Sequence, residues 1–134
     1  MIDLLKKLRD ESGVIEIKAE FENEGSRLDE LLRLKDVADK VDLPLIIKIG
    51  GVEAVTDIYN SIILGAKCII APMAETAFAV NKFISAIKNF VAADTIKDTE
   101  FYINIETITA FQNLDEILSL KEISILDGVT VGRV

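Results

Sequence analysis

The stretch FYINIET, Phe101 to Thr107, alternates between two kinds of residue. Successive side chains of a β-strand point to opposite faces, so Phe101, Ile103 and Ile105 share one face and Tyr102, Asn104 and Glu106 the other. The apolar face must be buried. What the second face touches decides the fold: against water Glu106 is a solvated carboxylate, whereas inside a closed structure it needs a partner of opposite charge.

The neighbouring segments carry the same pattern. Five strand-like runs stand out: VIEIKAEFE (14–22), LIIKIGG (45–51), AKCIIAPM (66–73), EFYINIET (100–107) and DGVTVGRV (127–134). Between them lie helical patterns. In SRLDELLRLKDVADKVD, Ser26 can cap, Asp29 stands three positions later, and Leu28, Leu31, Leu32, Leu34, Val37 and Val41 form an apolar stripe. VEAVTDIYNSIILG ends on Gly65, a favourable residue just past a helix, while ETAFAVNKFISAIKNFV and TAFQNLDEILSL supply two more helices. A leading helix is expected over about residues 2–12, and residues 1–134 read as a single domain without a Pro- or Gly-rich linker.

Strands alternating with helices imply a parallel sheet joined by right-handed crossovers. In an open doubly wound sheet both strand faces meet helices and should be apolar. Here charge collects on one face, with Glu16, Lys18, Glu20 and Glu22 opposite Ile15, Ile17, Ala19 and Phe21, and Lys48 beside Ile46 opposite Ile47 and Ile49. That favours the wall of a TIM-type (β/α)8 barrel, whose active sites sit at the C-terminal ends of the strands. Such a barrel needs eight strands and about 250 residues. The expectation is therefore an α/β partial barrel of about five strands, and the arrival of Val134 inside a strand-like run reads as a truncation.

Composition narrows the chemistry. With 23 acids against 15 bases and a formal charge of −8, the chain lacks the basic footprint of a nucleic-acid binder, although a small anionic substrate fits local basic residues. The lone Cys68 allows no internal disulfide, no apolar run is long enough to span a membrane, and the N-terminal segment lacks a signal peptide's apolar core, so the cytoplasm is expected. There is no histidine, which excludes imidazole bases and His-ligated zinc.

At IIKIGG, GAKCIIAPMAET and FYINIETITAFQNLDEI the sequence resembles the HpcH/HpaI aldolase and citrate lyase beta-subunit family. The most specific element is Ile105-Glu106-Thr107 followed by Ala110 and by Asn113 to Ile117. The resemblance implies a metal-dependent carbon–carbon lyase acting on a 2-oxo acid or an acyl-CoA ester, with Mg2+ or another divalent cation. It places Glu106 on the first metal-ligand carboxylate and Lys48 where relatives hold the substrate carboxylate with an arginine. Glu20 and Glu22 fall near an acidic pair of an early strand, and the histidine that follows this pair in aldolase members is here Asn23, which leans toward the His-free lyase branch. Lys48, Glu20 and Glu22 are thus the catalytic candidates, with Lys18, Met73 and Thr107 as further substrate contacts. Pro72 and Met73 match a strand-end turn. Gly132 matches a Gly-x-x-Asp strand whose aspartate, the second metal ligand, would follow Val134, so metal binding by this chain alone is expected to be poor.

Alternatives read from the residues remain beside these. Glu106 is also a buried acid paired with Lys48 or Lys18, Glu20 and Glu22 a rim of solvated charge, and Lys18 or Lys48 a Schiff-base nucleophile. The chain is also read as a non-catalytic, self-associating barrel fragment or small-anion-binding module, with a homo-oligomer expected from its unpaired strand edges.

Overall fold

The computed structural model describes residues 1–22 and 24–132, so Asn23 and the last two residues of the fifth strand-like run, Arg133 and Val134, lie outside the described residues. The chain folds as α1 (Ile2–Ser12), β1 (Ile17–Glu20), α2 (Leu28–Lys40), β2 (Leu45–Lys48), α3 (Val55–Ile63) and β3 (Cys68–Ala71). It continues as α4 (Ala77–Phe90), α5 (Ala93–Asp98), β4 (Glu100–Ile105), α6 (Ile108–Gln112), α7 (Leu114–Leu118), a 3₁₀ turn (Ile123–Ile125) and β5 (Gly128–Val131).

The five strands are all parallel and lie in sequence order, β1-β2-β3-β4-β5. A doubly wound sheet reverses its order at a switch point; this one does not, so right-handed crossovers place every connecting helix on the same side. Burial agrees. One large apolar cluster joins Ala19, Ile47, Ile69, Phe101 and Ile103 of the strands to Leu31, Ile58, Val80, Phe83, Ile84 and Ile117 of the helices. Phe83 and Phe101 meet edge to face with ring centres 6.3 Å apart. On the other side Ile46, Cys68 and Ile70 form a small patch with Tyr102, all of them strand residues. Among the described residues the sheet does not close, since β1 and β5 each have one neighbour. This is a partial (β/α) barrel.

Several boundaries differ from those read in the sequence. The first strand ends at Glu20, because the chain turns through Gly25 at φ 60°, whose amide donates to the Glu22 carbonyl at 3.0 Å. Helix α2 is capped by Arg27 rather than Ser26, and Glu30 rather than Asp29 accepts from the Arg27 amide, at 2.9 Å. Its stripe is also shifted, since Leu32 is exposed and Ala38, outside the expected stripe, is buried in the core. The helix expected over 109–120 breaks in two at Asn113, whose side-chain amide donates to the Glu75 carbonyl at 2.9 Å. Helix α5 has no counterpart among the expected elements. Among the described residues no helix is long and apolar enough to cross a membrane.

The two-sided packing separates costly from cheap truncations. Ile105, 7% exposed on the helix-facing side of β4, should cost about 2–5 kcal/mol on replacement by Ala. Ile63→Ala, at a side chain 71% exposed, should change stability by no more than about 0.5 kcal/mol, both variants being read by urea titration.

Candidate functional site at the carboxyl ends of the strands

The register assembles the polar face row by row. Lys18, Ile46, Cys68 and Glu100 stand side by side near the strand starts, followed by Glu20, Lys48, Ile70 and Tyr102. Asn104, paired with Thr130, begins the next row, and Glu106 follows it just past the end of β4.

Glu106 is held on both carboxylate oxygens. Oε1 accepts from the Met73 amide at 3.0 Å and Oε2 from the Asn104 side-chain amide at 3.1 Å. Neither Lys48 nor Lys18 is its partner, which overturns the ion pair considered from sequence alone. Met73 follows Pro72 in the turn after β3 and stands at φ 54°, a left-handed conformation that is uncommon for a residue with a Cβ. That turn aims its amide across at Glu106. Gly132 lies alongside, where a Cβ would come 3.2 Å from the Glu106 Cβ. Glu106 thus stands at the carboxyl end of the sheet on the helix-free side.

Asn104 is the residue that sequence reasoning passed over. It is 4% exposed, and its Oδ1 is buried without a hydrogen-bond partner among the described residues, although its amide serves Glu106. An unsatisfied buried acceptor costs about 1–3 kcal/mol, so an orphan beside a carboxylate is a place for a donor or a hard cation. The available signal was its spacing, two residues before a strand-end glutamate and on the same face.

Lys48 and Glu20 form a close ion pair with side chains only 12% and 17% exposed. Glu20 and Lys48 end β1 and β2, and Glu106 lies just past the end of β4, two strands from Lys48 and three from Glu20. Glu22 lies beyond the end of β1, exposed, and its side chain covers Gly50, where a Cβ would fall 2.6 Å from the Glu22 Cγ. Lys18 is exposed and makes no ion pair among the described residues. It lines a hollow of about 170 Å³ near the strand starts with Glu16, Cys68, Glu100 and Tyr102. The Thr107 hydroxyl caps α6, accepting from the Ala110 amide at 3.1 Å.

The donors fit a magnesium ion in kind and fall short in number. Magnesium takes oxygen ligands, usually one or two carboxylates with water and substrate oxygens. Glu106 offers a carboxylate and Asn104 a free amide oxygen, but among the described residues no three His, Cys, Asp or Glu side chains gather where a metal could be held.

Comparison with known proteins supplies the fold. No protein-family model matches the sequence, and no curated protein does. Solved structures do match. The HpcH/HpaI aldolase from Desulfitobacterium hafniense DCB-2 is 16% identical, with a TM-score of 0.72 over 96% of this chain and 56% of its own. The citrate synthase SbnG is 17% identical with a TM-score of 0.74 over 96% of this chain and 56% of its own. A Schiff-base-forming fructose-1,6-bisphosphate aldolase follows at 18% identity and a TM-score of 0.59, over 96% of this chain and 54% of its own. The chain therefore spans little more than half the length of the structures it matches. The resemblance seen at IIKIGG and FYINIET extends to the fold: over nearly its whole length the chain shares the parallel (β/α) arrangement of these aldolase and citrate synthase structures.

The helix-free face also sets the state of Cys68. Burial first, then the acids Glu100, Glu16 and Asp127, push its thiol from the usual 9.0 up to about 12. A group protonated more firmly in the folded state contributes stability that is complete below its unfolded pKa and is lost as pH rises toward the folded one. Unfolding free energy should accordingly fall between about pH 9 and pH 12, and less so in Cys68→Ala. At pH 8.5 iodoacetamide should label Cys68 only after guanidinium is added, whereas rapid labelling of the native chain would contradict its protonated, buried state.

Proposed function

We propose that this chain is part of a metal-dependent carbon–carbon lyase, aldolase- or citrate-lyase-like, acting in the intact protein on a 2-oxo acid or an acyl-CoA ester. The observation that carries this reading is Glu106, fixed by the Met73 amide and Asn104 at the carboxyl end of a parallel sheet. In barrel enzymes that is where catalytic groups stand. A divalent metal bound there would polarise the substrate's carbonyl and favour the enolate that cleavage forms.

The chain's own residues orient and balance charge. Glu106 presents a carboxylate whose direction is set before any ligand arrives, because both oxygens are anchored. The Asn104 Oδ1 offers an acceptor to a metal-bound water or a substrate hydroxyl. Lys48 supplies the cation for a substrate carboxylate, as a point charge rather than a bidentate fork, and Glu20 holds it in place. Glu20 and Glu22 are left as acids and bases in a chain without histidine, with Met73 and Thr107 around the substrate. With one carboxylate at the site, the 134-residue chain by itself binds magnesium weakly and turns over little. The cytoplasm, where a buried thiol stays reduced, suits it.

A second reading has one observation behind it. A Schiff-base aldolase shares the fold, and Lys18 makes no ion pair among the described residues while Lys48 does. Lys18, however, stands near the strand starts, away from Glu106. Borohydride added with a 2-oxo acid should therefore leave the protein's mass unchanged; a reduced adduct on Lys18 would favour the Schiff base.

In the intact protein, Glu106→Gln should lower metal-dependent kcat/KM by more than about 100-fold, a loss expected for a direct ligand rather than its support. Lys48→Met, removing a charge-assisted bond, should lower kcat/KM about 10- to 100-fold, chiefly through KM. Full activity in Glu106→Gln would remove Glu106 from the mechanism.

A further inference from the structure

We propose that Gly50 is a positioning residue: its missing side chain is the seat on which the Glu22 side chain lies, Asp57 fixes that seat, and Glu22 is thereby the acid of this region that exchanges a proton with the substrate. The role of Glu22 rests on the lyase reading above, whereas the seat does not.

Three acids stand at the carboxyl end of β1, and their surroundings differ. Glu20 is committed to Lys48, and Glu24 Oε2 accepts from the Glu20 amide at 3.2 Å. Glu22 lies against backbone instead. A Cβ on Gly50 would come 2.6 Å from the Glu22 Cγ, 2.6 Å from its Oε1 and 2.9 Å from its Cδ, all well inside contact distance. Gly50 is not among the glycines with positive φ, so its backbone would accept a side chain and only the space taken by Glu22 forbids one. The adjacent Gly51 also lacks a positive φ, and a Cβ there would meet nothing within 4 Å. Two neighbouring glycines thus differ in what a methyl group would strike.

The seat faces the site. Phe21 and Ile49 pack into the helix-facing core, so alternation sends Glu22 and Gly50 to the helix-free side, with Lys48, Asn104 and Glu106. The Phe21 amide donates to the Lys48 carbonyl at 3.2 Å, which keeps the two segments side by side beyond the end of β1. From the helix side, Asp57 in the first turn of α3 accepts from the Gly50 amide through Oδ2 at 2.8 Å. A charge-assisted bond of this kind holds the turn between β2 and α3 in one place.

Cleavage of a substrate with a hydroxyl β to its carbonyl needs a group to take the hydroxyl proton. Glu22 takes it; the hydroxyl carbon becomes a carbonyl as its bond to the α-carbon breaks, and the electron pair of that bond passes into the enolate. Glu22 then returns the proton to the α-carbon, which regenerates the carboxylate.

Two measurements test the seat and the role separately. In NOE spectra of the 134-residue chain, the Glu22 Hγ protons should give strong cross-peaks to Gly50 Hα, and their absence overturns the proposal. In the intact protein with Mg2+, exchange of the methyl protons of pyruvate or of acetyl-CoA with D2O reads the proton transfer at the α-carbon. Glu22→Gln should slow this exchange by about 100-fold or more. Gly50→Ala should slow it by about 10-fold or more at unchanged KM, whereas Gly51→Ala should stay within about twofold. Combined with Glu22→Gln, Gly50→Ala should cost no more than about a further twofold, because the seat acts through its occupant. Asp57→Ala reads the same seat if Gly50→Ala does not fold, and Asp57→Asn, which keeps an acceptor oxygen, should restore most of the loss. Equal rates in Gly50→Ala and Gly51→Ala, or a loss that adds fully to that of Glu22→Gln, overturn the proposal. Wild-type protein that shows the cross-peaks but exchanges neither compound overturns the lyase reading, and with it the role of Glu22.

Discussion

A β-strand cannot turn two successive side chains to the same face, and most of this molecule follows from that constraint. Parallel strands laid in sequence order send every crossover helix to one side, so one set of alternate residues is buried under helices and the other is not. Ala19, Ile47, Ile69, Phe101 and Ile103 belong to the first set and sit in a single core with the helices. The second set includes Glu20, Lys48, Asn104 and Glu106, which must find partners among themselves, from the backbone or in solvent.

The partners they find differ along the strands. At the ends of β1 and β2, Glu20 and Lys48 neutralise each other across adjacent strands, and such pairing says more about desolvation than about chemistry. Past the end of β4 the arrangement changes character, because Glu106 is held by a backbone amide and a neutral side chain, with no lysine as its partner among the described residues. Fixing a carboxylate without neutralising it suits a group that is to meet a cation from outside. Room for this is made by the backbone itself, through the left-handed turn at Met73 and the missing Cβ at Gly132.

The architecture was legible because period-two alternation in 14–22 and 101–107 separates charged from apolar residues cleanly, and a one-residue slip would invert both faces. The face occupied by Glu106 followed from the same alternation, although its partners did not. The Met73 amide is a backbone group, placed by a turn whose conformation no side-chain pattern announces. That Glu20 stands beside Lys48 was illegible too, since the stagger of rows across the sheet is set by the pairing register. Helix boundaries were hardest to read where two residues compete for one role. Ser26 and Arg27 both border α2, and the hydrogen bond from Arg27 to Glu30 decides between them; Asn113 sits in an apparently continuous helix, and its side chain breaks the helix by reaching Glu75.

The central claim is that Glu106 and Asn104 form a preoriented oxygen site on the helix-free face. Paramagnetic broadening by manganese in the presence of a 2-oxo acid reads this directly, since it detects weak binding through the amides nearest the ion. The Met73 amide and the Asn104 side-chain amide should broaden first, well before the amides of β1, and Glu106→Gln should remove the effect. Broadening centred on the Glu20–Lys48 pair, or unchanged by Glu106→Gln, would contradict the claim.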